Sequence, residues 1–155
     1  RLLKTLEEKG YKMRFIPHPN VVPQINDFDI NDKYVEFEKA SINYQEEFCK
    51  AKLMVTDYSS VYFDFGYLKK PVIYYQEDRE KFFEGQLYQK GYFDYDTMGL
   101  GPCYTDYDKF IDNLIKIIKN DCVLDKKYLN VINSTFKFYD TKNCERVYNE
   151  IMKLK

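Results

Sequence analysis

The sequence predicts a doubly wound α/β fold, in which helices cover both faces of a parallel sheet. Three observations support this prediction. Short strand-like segments alternate with amphipathic helical segments along the chain. Two of the strand-like segments, LMVT at 53–56 and PVIYY at 71–75, are apolar on both faces, as expected of strands buried on both sides. The length of 155 residues and the 45% hydrophobic content fit one globular domain with a substantial core.

The first predicted elements are a helix and two short strands. Leucines recur at helical spacing in the first six residues, and Gly10 is suited to end that helix. Alternating apolar side chains predict a strand over about 12–17. The Pro-His-Pro-Asn segment at 17–20 must stop this strand, because each proline lacks a backbone N–H and fixes φ. The alternation in KYVEFE predicts a second strand over 33–38.

A helix then leads into the first fully apolar strand. Asn43 followed by Glu46 resembles a capping box, which predicts a helix through Ala51. This helix would bury Tyr44, Phe48 and Ala51 on one face. The strand at 53–56 comes directly after it.

The second half of the chain continues the alternation of strands and helices. A short helix should follow residue 60, since Val61, Phe65 and Leu68 have helical spacing. The strand at 71–75 precedes a helix predicted near 77–84 from EDREKFF.

The last predicted elements are one strand and three helices. GPCYT at 101–105 contains the strand, and Thr105 with Asp108 forms a second capping box before the amphipathic helix KFIDNLIKIIKN. Two helical segments, roughly 125–138 and 141–154, complete the chain.

The composition limits the possible functions. The 24 basic and 25 acidic side chains leave a formal net charge of -1, so no global field favours nucleic acid, and any phosphate site must be local. No apolar run approaches the roughly 20 residues of a membrane span. The four cysteines form no CxxC pair, which predicts reduced thiols in a cytoplasmic protein. No cofactor is expected, and no cluster of metal ligands is visible in the sequence, which leaves metal dependence open.

Polar side chains follow two of the predicted strands. His18, the single histidine, comes directly after the first strand. Thr56, Asp57, Ser59 and Ser60 come directly after the strand at 53–56. Ligands of doubly wound sheets bind beyond the carboxyl ends of the strands. If these two strands are neighbours, both groups of side chains line one crevice.

Each of these residue types has a functional and a structural interpretation. Serine hydroxyls beside the free N–H groups of a helix start can bind phosphate oxygens, but Asp57, Ser59 or Ser60 can equally cap the helix. Asp64 can accept hydrogen bonds from ligand hydroxyls or can lie on a solvated helix face. The His18 imidazole can donate a proton to a leaving phosphate, although a lone histidine is more often a surface or core residue.

The chain resembles the nucleotide-binding half of the CDP-glycerol glycerophosphotransferases, which build teichoic acids. The resemblance rests on the PHPN segment at 17–20 and on AKLMVTDYSSVYFDFGYLKKPVIYY at 51–75. It continues through YFDYDTMGLGP at 92–102, which is similar to an acidic loop ending in Gly-Pro, and FYDTKNCERVYNEI at 138–151. The MGLGP part of the loop departs from the Pro-Gly pattern of many members.

The resemblance implies a Rossmann-like, carboxyl-terminal lobe of a GT-B transferase. It implies that residues 1–155 are a single nucleotide-binding domain, a fragment that lacks the amino-terminal acceptor-binding lobe and is inactive alone. In this family His18 would assist the departure of CMP from CDP-glycerol. The implied diphosphate and nucleotide contacts are Thr56, Asp57, Ser59, Ser60 and Asp64, with Asp96, Gly101 and Arg146 as further candidates.

The resemblance also implies partners and a location. The acceptor would be a lipid-linked polyol phosphate or glycan, and the full-length protein would lie on the inner face of a bacterial membrane. One alternative is a GT-B glycosyltransferase that uses a nucleotide-activated sugar. Another is a non-catalytic interaction domain in which the serines only cap a helix.

Overall fold

The computed structural model of the chain describes residues 1–28, 32–38, 42–82, 84 and 91–154. Strands and helices alternate as predicted. The strands are β1 (Met13–Phe15), β2 (Val35–Phe37), β3 (Met54–Thr56), β4 (Val72–Tyr75) and β5 (Cys103–Tyr104). The helices are α1 (Leu2–Lys9), α2 (Tyr44–Lys50), α3 (Tyr62–Tyr67), α4 (Tyr107–Lys119), α5 (Lys126–Thr135) and α6 (Asn143–Met152).

All of these strands pair in parallel, in two sheets. β1 pairs with β2, and β4 lies between β3 and β5. No ladder joins β1 to β3 within the described residues. Met13 of β1 and Leu53, which precedes β3, nevertheless pack against the same apolar cluster. The two sheets therefore share a core on one face.

Helices cover both faces of the β3–β4–β5 sheet. On one face Ile73 of β4 packs with side chains of α1 and α4. On the other face Val72 and Tyr74 pack with side chains of α2, α3 and α5. Successive residues of a strand point to opposite faces, so β4 supplies both cores. This arrangement is the doubly wound architecture that the sequence predicts. The predicted burial of segment 53–56 on both sides is wrong, however, because β3 is an edge strand among the described residues and Val55 is 46% exposed.

Local sequence signals explain where several elements begin and end. Gly10 ends α1 in a left-handed conformation with φ 66°. The Asn43 side chain accepts hydrogen bonds from the backbone of Gln45 and Glu46, which caps α2 as predicted. Phe48 of α2 is buried, but Tyr44 is 41% exposed, so its predicted burial is wrong.

Two further predictions of helix position are wrong. The first turn of α4 is capped by Asp106, whose carboxylate accepts from the Lys109 N–H at 2.8 Å, rather than by Thr105. Residues 77–82 and 84 form turns instead of a helix. This charged run lacks an apolar stripe, and the Asp78 and Arg79 side chains bond to other segments instead.

The segment that follows β1 contains a helix that the sequence did not predict. β1 ends at Phe15, and a 3₁₀ helix spans Pro19–Asp27 with Pro23 inside it. In the described part of the chain, no helix is both long enough and apolar enough to span a bilayer.

Candidate functional site

Segments that follow β3, β4 and β5 meet at an open cleft. The carboxyl ends of parallel neighbouring strands share one edge of a sheet, which is where doubly wound domains bind ligands. The cleft has a larger depression of about 550 Å³ and a smaller one of about 320 Å³. The larger is lined by Glu77, Asp78, Arg79, Glu80, Lys81, Thr105 and Asp106. The smaller is lined by Asp57, Tyr58, Tyr75, Glu77, Asp78 and Phe82, so the two adjoin.

Asp57 organises the turn that leaves β3. Its Oδ1 atom accepts hydrogen bonds from the backbone N–H groups of Tyr58, at 2.6 Å, and Ser59, at 3.2 Å. Its carbonyl oxygen accepts from Nε2 of Gln76, a side chain that is only 1% exposed. Asp57 therefore holds the turn in place and ties it to the end of β4.

The serine hydroxyls have no such structural role. α3 begins at Tyr62 with Val61 as its N-cap, and no side chain of a described residue caps it. Neither Ser59, which is half-buried, nor the exposed Ser60 makes a side-chain hydrogen bond to any described residue. The capping interpretation therefore does not account for either serine, and both hydroxyls are available to a ligand.

Thr56 and Asp64 flank this turn. Thr56 is the last residue of β3, lies opposite Tyr74 of β4 and is half-buried. Asp64 lies exposed in the first turn of α3 and forms no ion pair or hydrogen bond with the described residues. Its carboxylate stabilises the helix start electrostatically. A ligand-binding role for either residue stays a prediction.

His18 lies exposed between β1 and the 3₁₀ helix. The backbone N–H of Asn20 donates to its Nδ1 atom at 3.2 Å. Because Nδ1 is an acceptor, the proton of the neutral ring lies on Nε2, which can donate to a ligand. No hydrogen bond or ion pair of the described residues joins His18 to the turn after β3. That both line one crevice stays a prediction.

Asp96 and Gly101 have clear structural partners. Asp96 forms a two-pronged ion pair with Arg79, with both N–O distances at 3.0 Å. Gly101 is buried, and a Cβ atom there would lie 1.8 Å from the Val72 carbonyl oxygen. Glycine at this position allows the loop to approach β4, which accounts for the Gly-Pro step without a ligand.

Arg146 lies in the first half of α6 and is not among the described residues that line the two depressions. It bonds to Asp140 and Asn143, and its guanidinium lies 3.8 Å from the centre of the Phe138 ring. The Tyr67 hydroxyl, at the carboxyl end of α3, donates to the Phe138 carbonyl at 3.2 Å. Arg146 therefore supports the packing of this segment against the end of α3.

Three side chains that the sequence reasoning did not select shape the cleft. Arg79 is fixed by Asp96, and this ion pair raises the pKa of the guanidinium. The Tyr58 hydroxyl donates to Asp78 at 2.8 Å, and burial, followed by this bond, raises the pKa of Tyr58. Gln76 follows β4 and bonds to Asp57 in the turn that follows β3. The position of Gln76, directly after an apolar strand, is the sequence signal that could have identified it.

The lining of the cleft is acidic. Among the described lining residues, Arg79 and Lys81 are the cations, against the carboxylates of Asp57, Glu77, Asp78, Glu80 and Asp106. In the ranges that the structure describes, no three His, Cys, Asp or Glu side chains are grouped to hold a metal ion. The acidic lining suits hydrogen-bond donors such as amino and hydroxyl groups better than it suits phosphates.

Comparisons with known proteins agree with this architecture. The model of one family, described as CDP-Glycerol:Poly(glycerophosphate) glycerophosphotransferase, matches residues 1–153. The minor teichoic acid biosynthesis protein GgaB of Bacillus subtilis is 38% identical over 154 residues, which is 99% of this chain and 16% of that protein. A teichoic acid glycerol-phosphate transferase of Staphylococcus aureus is 34% identical over 105 residues, 67% of this chain and 23% of that protein.

A solved structure has the same fold. The wall teichoic acid polymerase TagF matches with a TM-score of 0.70 and 24% identity, over 98% of this chain and 36% of the polymerase. This likeness confirms the predicted α/β fold with parallel sheets, of the kind that forms one lobe of a GT-B transferase. The chain spans only 16% to 36% of the length of these three proteins.

Proposed function

Because the chain belongs to the CDP-glycerol:poly(glycerophosphate) glycerophosphotransferase family, we propose that it binds the donor nucleotide of such an enzyme. The enzyme would move glycerol phosphate from CDP-glycerol to a hydroxyl of a teichoic-acid-like acceptor and release CMP. The observation that carries this proposal is the pair of serine hydroxyls at the carboxyl end of β3, which have no capping role. Hydroxyls at this edge of the sheet can donate to the diphosphate of the nucleotide.

The reaction breaks one P–O bond and forms another. The acceptor hydroxyl attacks the phosphorus that bears glycerol, the bond to CMP breaks, and CMP leaves with the electron pair. The hydroxyl proton passes to a base, and the leaving phosphate of CMP requires neutralisation. The Nε2–H group of His18 would donate to that phosphate, while Ser59 and Ser60 would hold the diphosphate. Catalysis of this kind depends mainly on positioning and charge stabilisation.

The acceptor site belongs to the same proposal. We assign the acceptor and the general base to a second lobe of a longer polypeptide, since the relatives are several times longer than this chain. A lipid-linked polyol-phosphate acceptor would bring that polypeptide to the inner face of the cell membrane. Asp64 would contact the nucleotide or the glycerol from the first turn of α3.

Calorimetry with nucleotides tests the binding part of the proposal. CMP, CDP-glycerol, CDP-ribitol and UDP-glucose are titrated into the 155-residue chain and into the Ser59→Ala/Ser60→Ala variant. We expect cytidine nucleotides to bind and the double variant to bind them at least about tenfold more weakly, because it lacks two hydrogen-bond donors to phosphate. Ser134→Ala is the matched control, since its hydroxyl donates to the Val131 carbonyl of its own helix and bonds to no other described residue. Absence of cytidine nucleotide binding at millimolar concentration would refute the proposal.

Transfer by the full-length protein tests the role of His18. We expect His18→Ala to slow CMP release from CDP-glycerol by roughly 10²–10⁴-fold, the usual contribution of a general acid. Binding of CDP-glycerol should weaken much less than the rate falls. His18→Gln retains an N–H donor but cannot act as a general acid, so it should restore binding without restoring the rate. A wild-type rate in His18→Ala would remove this residue from the mechanism.

A further inference from the structure

The smaller depression of the cleft has the features of a site for an aromatic ring. It is about 320 Å³ in volume, within the usual size range of ligand pockets, and it is open at the carboxyl ends of β3 and β4. Aromatic rings contribute three of the six described residues that line it: Tyr58, Tyr75 and Phe82. Planar heterocycles bind to such walls because stacking and burial both favour the contact.

Two of these rings are held rigidly. The Tyr58 ring stacks on Phe82 with 3.6 Å between ring centres, and Tyr75 stacks on Phe110 at 4.7 Å. Each tyrosine therefore keeps its orientation in the absence of a ligand. A wall that is already ordered loses little conformational entropy when a ring binds to it.

The same tyrosines orient two carboxylates of the depression. The Tyr75 hydroxyl donates to Oε2 of Glu77 at 2.8 Å, and the Tyr58 hydroxyl donates to Oδ1 of Asp78 at 2.8 Å. The pKa of Tyr75 is raised first by its bond to Glu77, and that of Tyr58 first by burial, so both hydroxyls keep their protons and donate. The second oxygen of each carboxylate has no hydrogen bond to a described residue and can accept one from a ligand.

The negative charge of the lining determines which part of a nucleotide the depression can bind. Glu77 and Asp78 repel phosphate, so a nucleotide in this cleft places its phosphates elsewhere, and the hydroxyls of Ser59 and Ser60 lie in the same turn as Asp57 and Tyr58. The nucleoside part then faces the aromatic depression. A carboxylate only accepts hydrogen bonds, and the exocyclic N4 amino group of cytosine is a donor, whereas O4 of uracil is an acceptor.

We propose that this depression binds the pyrimidine base of the donor nucleotide, and that the carboxylates of Glu77 and Asp78 select cytosine over uracil. The inference rests on the proposed function, since it presumes that the chain binds a pyrimidine nucleotide. Selection arises because uracil would place its O4 lone pairs against a carboxylate. An exchange of carboxylate for amide removes that repulsion, since a carboxamide can donate to O4.

Calorimetric titration of CMP and UMP into the 155-residue chain tests the inference. We expect CMP to bind at least about tenfold more tightly than UMP, a discrimination typical of good side-chain contacts to a base edge. The ratio of the two dissociation constants should fall in Glu77→Gln and in Asp78→Asn, and it should approach one in the double variant. Glu8→Gln on α1, which lines neither depression, makes the same change of charge and should keep the wild-type ratio.

A modified nucleotide provides a measurement that needs no variant. N4,N4-dimethyl-CMP has the same ring but no N4–H donor, so we expect it to bind as weakly as UMP. Binding as tight as that of CMP would overturn the inference. An unchanged ratio in the double variant would overturn it too, as would equal weakening of CMP and UMP, which would indicate contacts to a shared group such as the ribose.

The outcomes separate this inference from the proposed function. If CMP and UMP bind equally well to the wild-type chain, base selection is wrong and nucleotide binding stands. If neither nucleotide binds at millimolar concentration, the proposed function fails and the inference fails with it.

Discussion

Two side chains in the turn after β3, those of Asp57 and Ser60, contribute differently to the stability of the fold. The Asp57 carboxylate accepts from two backbone N–H groups, whereas the Ser60 hydroxyl bonds to no described residue. We therefore expect Asp57→Ala to lower the free energy of unfolding by about 1 kcal/mol. Ser60→Ala should change it by less than about 0.5 kcal/mol. Denaturation with urea measures both values.

The control for this prediction keeps the accepting oxygen. Asp57→Asn retains a side-chain carbonyl for the two N–H groups, so it should lose less stability than Asp57→Ala. A loss in Ser60→Ala equal to that in Asp57→Ala would contradict the division of roles and would make Ser60 a helix cap after all.

The position of this turn at the sheet edge was predictable from the sequence. Which of its residues stabilise the turn, and which do not, was not predictable. The apolar segment at 53–56 marks β3, so the polar residues after it had to lie at the sheet edge. Which of these polar residues caps α3 depends on the residue at which α3 begins. The N-cap is Val61, a residue type that is rare at that position, and no local pattern indicates it.

Gly101 gives a second prediction at the residue scale. Because its Cβ position lies 1.8 Å from the Val72 carbonyl oxygen, Gly101→Ala forces the loop away from β4. We expect a loss of about 3 kcal/mol in the free energy of unfolding, measured by thermal or chemical denaturation. Gly91→Ala is the matched control, because no atom of a described residue lies within 4 Å of its Cβ position. Similar stability of the two variants would contradict the close approach.

At the scale of elements, one lysine joins a helix to a strand. Lys70, just before β4, donates through Nζ to the carbonyl oxygens of Phe48, Cys49 and Ala51, each at 2.7 Å. These carbonyls lie at the carboxyl end of α2, where the backbone lacks intrahelical donors and the helix dipole attracts a cation. Lys70 therefore caps α2 and holds it against the sheet.

Removal of the ammonium group tests this cap. Lys70→Met keeps most of the apolar stem and removes the three hydrogen bonds, so we expect the free energy of unfolding to fall by about 2 kcal/mol. Hydrogen exchange of the last turn of α2 should accelerate in this variant. Lys116→Met on the exposed side of α4 is the control and should change stability by less than about 0.5 kcal/mol. Equal effects of the two changes would show that the cap contributes nothing.

The sequence predicted elements well where the signal is local and less well where it depends on distant partners. Gly10 and the Asn43 cap identify the end of α1 and the start of α2 from neighbouring residues alone. Residues 77–82 do not form the predicted helix, because Asp78 bonds to Tyr58 and Arg79 bonds to Asp96. Both bonding partners are distant along the chain. The 3₁₀ helix Pro19–Asp27 was missed because proline fixes φ without determining the turn that follows.

At the scale of the whole molecule, β4 separates two apolar cores. Ile111 of α4 belongs to the core on one face, and the fully buried Ile132 of α5 belongs to the core on the other. The two side chains share no buried neighbour, because each cluster is formed by different residues. The double coverage of the sheet, which was predicted from the apolar segments 53–56 and 71–75, therefore makes two cores that stabilise the fold independently.

Independence of the two cores predicts additive effects of mutation. Ile111→Val and Ile132→Val should each lower the free energy of unfolding by about 0.5–1.5 kcal/mol, since each removes one buried methylene group. The double variant should lose the sum of the two values to within about 0.5 kcal/mol, because residues without shared partners act independently. Ile111→Val combined with Leu114→Ala, two changes within one core, is the contrasting pair and should deviate from the sum. Urea denaturation of the single and double variants measures each term, and coupling across β4 as strong as that within one core would contradict the two-core architecture.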